Sequence, residues 1–344
     1  MSPDAAAARP GRHARPAGAA RRLWLAGAAL VAAVAAALLF GRYPEPGFMD
    51  LRVLADDPVA LRVLVLIRAP RVLAALLLGA TLGAAGCAFQ LIFANPLVDA
   101  GFLGVSQGAS LGAALALVAG GGGAALFGAA FAGALAALGL SVFLAGRLRF
   151  GGSVLRLVLA GIAVSAFFSA AVALVKYGAD PRNELPDISY WMMGGLSRSS
   201  WGQLGMAAGP ALLALAALVA ARWRITLLSL DEATAASLGA RPGLERAAAL
   251  GLAAAGVAAV TAVAGTVSWI GIIVPHAARL VLRSEGAATI PGSALLGAAF
   301  AVVADALARG LFAGELPLGV VTALLGTAVF VALLASQRIR LGRG

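Results

Sequence analysis

Few side chains in this sequence have the type and spacing to do chemistry. Asp305 is the one acidic residue deep in an apolar run, and Arg309 follows four residues later on the same helix face. That spacing suits a carboxylate that takes up a proton or, with the arginine beside it, a neutralised pair. Cys87 is the single cysteine, so no intrachain disulfide can form, and its apolar surroundings make it a small packing residue. The two histidines, His13 and His276, are far apart, and no Cys/His cluster has metal or haem-iron spacing. A phosphate loop of the form G-x-x-x-x-G-K-[ST] requires lysine after glycine, whereas the sole lysine, Lys176, lies between Val175 and Tyr177. There is no H-E-x-x-H, no G-x-S-x-G and no pair of intramembrane carboxylates. The reading is a chain with no catalytic site, no metal site and no bound cofactor of its own.

One polar stretch stands apart. Leu228 to Arg246 reads LSLDEATAASLGARPGLER inside a chain that is 61% hydrophobic and 12% charged. Ser229 is placed as N-cap with Glu232 as capping-box partner and Asp231 beside it, all favourable at the positive end of a helix. Gly239 supplies the stop and Pro242 is expected to prevent a restart. The result is a self-contained helix of about nine residues, roughly 13 Å long. It needs water around it and a partner.

The remaining elements are membrane spans. A mean hydropathy of +0.95 over 344 residues belongs to an all-α polytopic membrane protein. Apolar runs predict ten transmembrane helices: 23–40, 72–93, 97–118, 124–144, 154–175, 204–221, 247–267, 269–281, 290–311 and 316–335. The eighth is short, about 20 Å, and Pro275 interrupts its hydrogen bonding. It reads as a bent or broken helix among neighbours, or as a re-entrant segment that would leave nine spans. The permease body is 23–336, with the 228–246 loop set into it.

Basic residues orient the bundle. With the N-terminus inside, seventeen of the 26 Lys+Arg fall in inner segments: Arg9, Arg12, Arg15, Arg21, Arg22, Arg147, Arg149, Arg156, Arg222, Arg224, Arg241, Arg246, Arg279, Arg283, Arg338, Arg340 and Arg343. The expectation is N-in and C-in, with the polar helix in the cytoplasm. The net charge of +11 is dispersed beside apolar spans, which fits anionic lipid and argues against nucleic acid. Residues 1–22 read as a disordered basic cytoplasmic tail and 337–344 as a second cytoplasmic tail. The run after Arg21-Arg22 is either a signal peptide or, lacking a persuasive cleavage site, a retained first span. The glycine pairs Gly79/Gly83, Gly108/Gly112 and Gly205/Gly209 are spaced for close helix approach.

Five stretches together resemble the FecCD family, the membrane permeases of ABC importers for iron-siderophores, haem and vitamin B12. They are RAPRVLAALLLGATLGAAGCAFQLIFANPLVDAGFLGVSQGASLGA (68–113), YWMMGGLSRSSW (190–201), LDEATAASLG (230–239), GIIVPHAARL (271–280) and ADALARGLFAGELPLGVVTALLG (304–326), in the family's order and spacing. Ala69, where the family often has Leu, and Ser268-Trp269, where it often has Gly-Phe, are small departures.

The resemblance implies a homodimer in the bacterial inner membrane with its path on the two-fold axis. It also implies two ATP-binding subunits beneath, carrying ATP and Mg, and a periplasmic substrate-binding protein above. Ser229, Leu230, Asp231, Glu232, Ala233, Leu238 and Gly239 match the family's ATPase-coupling helix; the residue-level alternative is a helix lying on the membrane. Arg68, Arg71 and Arg309 match positions that meet acidic residues of the binding protein; alternatively Arg68 and Arg71 anchor at headgroups and Arg309 pairs with Asp305. Asn95, Pro96 and Leu97 resemble a cytoplasmic gate or form a simple tight turn, and Gly151-Gly152 match a second constriction poorly. Tyr190, Trp191, Met192 and Met193 either line the pathway mouth or pack there. The implied cargo is a bulky iron chelate (haem or a ferric siderophore) or cobalamin. An ion-coupled secondary transporter is the other class, for which neither a coupling-ion site nor an inverted repeat is clear.

Overall fold

The computed structural model describes residues 16–99, 101–283, 286–310 and 314–335. Most of the expected N-terminal tail, with Arg9, Arg12, His13 and Arg15, and the 337–344 tail, with Arg338, Arg340 and Arg343, lie outside the described residues.

Helix α1 runs Pro16–Leu39, seven residues longer at its start than the hydropathy run from Leu23. Proline suits a first helical turn, and the alanines and arginines that follow are strong helix formers, so residues 16–22 are helical rather than tail. The chain then makes a two-residue antiparallel ladder, β1 (Phe40–Gly41) with β2 (Gly47–Phe48), a small exception to the all-helical expectation. Two short helices follow, α2 (Leu51–Asp56) and α3 (Pro58–Arg62), capped by the side chains of Asp50 and Asp57. A π-helical turn, Val63–Arg68, leads without a break into α4 (Ala69–Ile92). Residues 58–92 thus form one apolar rod of 35 residues.

Beyond it come α5 (Val105–Val118), α6 (Ala124–Arg147), α7 (Ser153–Gly178), α8 (Glu184–Met193) and α9 (Trp201–Ala220). Then follow α10 (Arg222–Leu227), α11 (Glu232–Ser237), α12 (Pro242–Ala264), α13 (Ile270–Leu282), α14 (Thr289–Gly310) and α15 (Leu318–Ala335). Among the described residues seven helices are long and apolar enough to cross a membrane, and α5, α13 and α15 are shorter apolar helices. The third expected span shrinks at its start: 97–104 is irregular, because Gly101 and Gly104 (φ +82°) serve turns rather than a helix.

The rod of α4 is the axis of the bundle. Buried residues make up 89% of its most apolar window, against 11% for α1. Gly79 and Gly83 lie directly on α14, and Gly108 and Gly112 on α6. A β-carbon at these four positions would sit 2.0–2.3 Å from a backbone oxygen of the facing helix. Gly205 and Gly209 do not behave as the other two pairs: nothing lies within 4 Å of a β-carbon placed there, so that face of α9 packs against no other helix of the protomer. Cys87 is fully buried, as its surroundings required.

The short eighth segment is a half-length helix with a non-helical lead. Its entry, residues 265–268, is hydrogen-bonded and packed against α8: Gly195 N–H donates to the Ala264 carbonyl, and the Thr266 hydroxyl donates to the Met192 carbonyl. Its exit lies near the start of α1, where Arg22 donates to the Leu282 carbonyl at 2.9 Å. Inside, the Gln90 side-chain amide of α4 donates to the Gly271 and Ile272 carbonyls and its oxygen accepts from Arg279, fastening α13 to the axis. Irregular backbone at this depth is tolerated where protein satisfies it.

Candidate functional site

The polar island folds as an exposed rod on a buried foot. Ile225 and Leu228, on and just after α10, are fully buried, and of α11 only Ala235 is. Leu230 and Leu238 are exposed apolar side chains flanking the acidic start of α11, with Ala233 exposed between them. The capping differs from the sequence expectation. Ser229 is not the N-cap: its hydroxyl donates back to the Thr226 carbonyl at 2.7 Å, closing the end of α10. Asp231 caps α11 instead, accepting from Thr234 N–H at 3.0 Å. The helix is therefore six residues rather than nine. Gly239, at φ +83°, ends it as expected, but Pro242 begins α12 rather than blocking it, since a proline at the first helical position lacks only a donor that would be unpaired anyway.

Three contacts fix the foot. Glu232 accepts from Arg246 of α12 at 2.6 Å and from the Ser153 hydroxyl, at the start of α7, at 2.9 Å. Arg224 donates to the Gly239 carbonyl and pairs with Glu245 at 3.4 Å. Helix α10 and the Ser153 contact were not legible in sequence, one being only six residues long and the other 79 positions from its partner.

The Thr234 hydroxyl, with its backbone N–H, holds the Asp231 carboxyl below the usual carboxylate range. A depressed pKa contributes stability above the unfolded value of about 3.9, lost as pH falls through the lower folded value. Protection of the α11 amides against hydrogen exchange is expected to drop over that acid window in the native chain. Asp231→Ala should lower it already at pH 7, whereas Ser229→Ala should leave it nearly unchanged.

At the far end of α4 lies a second polar cluster. Arg71 meets Asp305 at 2.9 Å and Glu315 at 2.9 Å, while Arg309 lies 3.1 Å from the other Asp305 oxygen. That last contact is an ionic approach without hydrogen-bond alignment. Arg309 also donates to the Ala37 and Phe40 carbonyls, and Arg68 to those of Leu38, Leu39 and Tyr43. These carbonyls belong to the last turn of α1 and the residues after it, where a helix leaves its acceptors unpaired. Arg68, Arg71 and Arg309 are 4%, 6% and 7% exposed. The expectation that they face a delivery protein is corrected for this conformation: their donors are committed inward and brace α1, α4 and α14 together. The pairing of Asp305 with Arg309 is as the spacing indicated, and Arg71 joins it from a different helix.

The turn after α4 is built by Asn95, whose side-chain oxygen accepts from Leu97 N–H at 2.9 Å; Ala94 precedes it at φ +47°. Asn95 and Leu97 are exposed and Pro96 is half-buried. The four mouth residues on α8 point apart. Trp191 is buried in the core, Met192 lines an internal cavity, and Met193 is exposed. Tyr190 bonds Ser197 and lies under the guanidinium of Arg198, itself paired with Asp187 at 3.0 Å. They do not form one lining, because successive helical positions differ by about 100°.

The cavity, of about 600 Å³, lies between α5, α7 and α12, with the Asp99 loop and the start of α13 closing it. Among the described residues no group of three or more His, Cys, Asp or Glu side chains gathers to hold a metal ion.

A bundle of apolar helices around one buried axis, with a water-facing rod at one end and an internal polar cavity, defines a multi-pass membrane permease. The chain belongs to the FecCD transport family, matched over residues 29–336, and is a permease of the ABC importer type. It is 35% identical over 308 residues to the molybdate import system permease MolB of Haemophilus influenzae, covering 88% of this chain and 91% of that one. It is 37% identical over 281 residues to the hemin transport system permease HmuU of Yersinia pestis, covering 79% and 83%. Its structure matches an inward-facing conformation of a metal-chelate type ABC transporter with a TM-score of 0.85 and 33% identity, over 92% of this chain and 99% of that one.

Proposed function

We propose that this chain is the membrane subunit of an importer that carries a bulky iron chelate, haem or a ferric siderophore, or cobalamin from periplasm to cytoplasm across the bacterial inner membrane. It works as a homodimer, N-in and C-in, with ten crossings per protomer; the eighth combines residues 265–268 with α13. Two separate ATPase subunits bind ATP and Mg and dock on α11, and a periplasmic binding protein delivers cargo at the opposite end. The hemin permease and the metal-chelate transporter among its likenesses favour an iron chelate; the molybdate permease marks a small oxyanion as the cargo to test against it.

One observation carries this reading: α11 offers exposed Leu230, Ala233 and Leu238 beside an acidic start, while Glu232 ties it to two long helices. Such a rod can receive a push and pass it on. Asn95, Pro96 and Leu97 form the gate at the cytoplasmic turn in this scheme. The ion-coupled alternative is weakened by Asp305, whose charge is held between two arginines instead of facing a path.

Deleting residues 231–239, or replacing Leu230 and Leu238 with glutamate, is expected to abolish copurification with the ATPase while the permease still elutes as a folded species. Tight association retained in both variants would remove the docking role. Uptake of hemin, a ferric siderophore, cobalamin and molybdate into proteoliposomes containing the complete transporter, with and without ATP, would then assign the cargo. ATP-independent accumulation would reject the importer reading.

A further inference from the structure

The cavity holds a charge with no counter-charge. Of the side chains lining it, Asp99 alone is ionisable, and among the described residues it makes no ion pair. One Asp99 carboxylate oxygen accepts from Gly101 N–H at 2.9 Å. The side-chain oxygen of Gln107, on the cavity wall, is buried and has no hydrogen-bond partner. Ser110 donates its hydroxyl proton to the Ser106 carbonyl at 2.9 Å, which turns its lone pairs toward the cavity. The hydroxyls of Ser106, Ser165 and Thr261 complete the wall. A carboxylate, an unpartnered amide oxygen and hydroxyls, with no lysine, arginine or histidine, are ligands for a hard cation.

We propose that this cavity binds a monovalent inorganic cation, sodium or potassium, held by Asp99 and Gln107. Charge count selects the valence: one carboxylate balances a single positive charge, whereas a divalent ion would leave net charge in a poorly solvated space. A proton on Asp99 could satisfy at most one acceptor, and a cation can serve several. The volume has room for the ion with part of its hydration shell, each water occupying about 30 Å³. The consequence is mechanical. Asp99 lies two residues beyond Leu97, and its β-carbon is 3.3 Å from where a side chain at Gly271 of α13 would begin. Neutralising Asp99 therefore steadies the turn between α4 and α5 against the half-length helix. The ion is a resident one, not a gradient that drives uptake.

The test uses the full-length permease in detergent, without ATPase, cargo or a membrane gradient, so it is independent of the transport reading. Its thermal unfolding midpoint is measured in sodium, potassium and N-methylglucamine chlorides at equal ionic strength. The midpoint should rise in sodium or potassium relative to N-methylglucamine, by roughly 2–4 °C for each tenfold increase in ion above its dissociation constant. Asp99→Asn should remove the rise, and Gln107→Leu should move it to at least tenfold higher concentration. Should Asp99→Asn fail to fold, Gln107→Leu alone carries the test, and an unshifted titration in it overturns the site. Equal midpoints in all three salts, or an undiminished rise in a folded Asp99→Asn protein, also overturn it.

Discussion

Replacing Asp305 with alanine is expected to cost about 3–5 kcal/mol of stability, because it strands two buried arginines. The carboxylate is 1% exposed and touches Arg71 on one oxygen and Arg309 on the other. Without it, Arg71 keeps only Glu315, and Arg309 keeps only the carbonyls at the end of α1. Glu315→Ala should cost under about 1 kcal/mol, since that carboxylate is 41% exposed and water screens it. Unfolding of the detergent-solubilised protein in a denaturant series measures both. A double replacement, Asp305→Ala with Arg71→Ala, should cost less than the two singles added, by roughly 0.5–3 kcal/mol of coupling. Additive losses would show that the cluster is not one unit. Because binding protein is absent from this measurement, a loss caused by lost bracing is separated from one caused by lost docking.

Adding a single methyl at Gly79 should do comparable damage. A β-carbon there would lie 2.1 Å from the Gly297 carbonyl oxygen and 2.6 Å from the Ala301 β-carbon. The two helices must separate to admit it, and overpacking of this kind costs about 1–3 kcal/mol or more. Gly79→Leu should yield no folded protein, since α4 is the axis and α14 lies along it. Gly209→Ala is the control: its β-carbon meets nothing in the protomer, and removing a mid-helix glycine gains up to about 1 kcal/mol. Folded yield by fluorescence size-exclusion chromatography ranks the three, and equal yields would show that the glycine contact does not govern packing.

The two results also mark where sequence reasoning reached. Apolar runs located the long helices, because twenty greasy residues have few other fates. The short eighth segment was visible in its length and in Pro275, and the island at 228–246 in its composition. The Gly79 and Gly108 pairs had the right spacing, but so did Gly205/Gly209, and spacing alone says nothing of which neighbour is present. The inward turn of Arg68, Arg71 and Arg309 was hidden for the same reason. Their partners are α1 carbonyls and residues more than two hundred positions away, and a local reading of an arginine at a span end favours headgroups or a visiting protein. The cap at Asp231 was misassigned by two residues because Ser229 and Asp231 both suit the position; α10, which needs the Ser229 hydroxyl to close its last turn, decides between them.

The joint beneath α11 has a geometric corollary. Glu232 grips the first residue of α7 through Ser153 and the start of α12 through Arg246, and those two helices supply facing sides of the internal chamber: Ser165 and Ser169 on one, Val257 and Thr261 on the other. A shove on the rod is thus split between a pair of levers whose far arms flank the same hollow. No slack loop lies between, so the width of that hollow follows the angle of the rod.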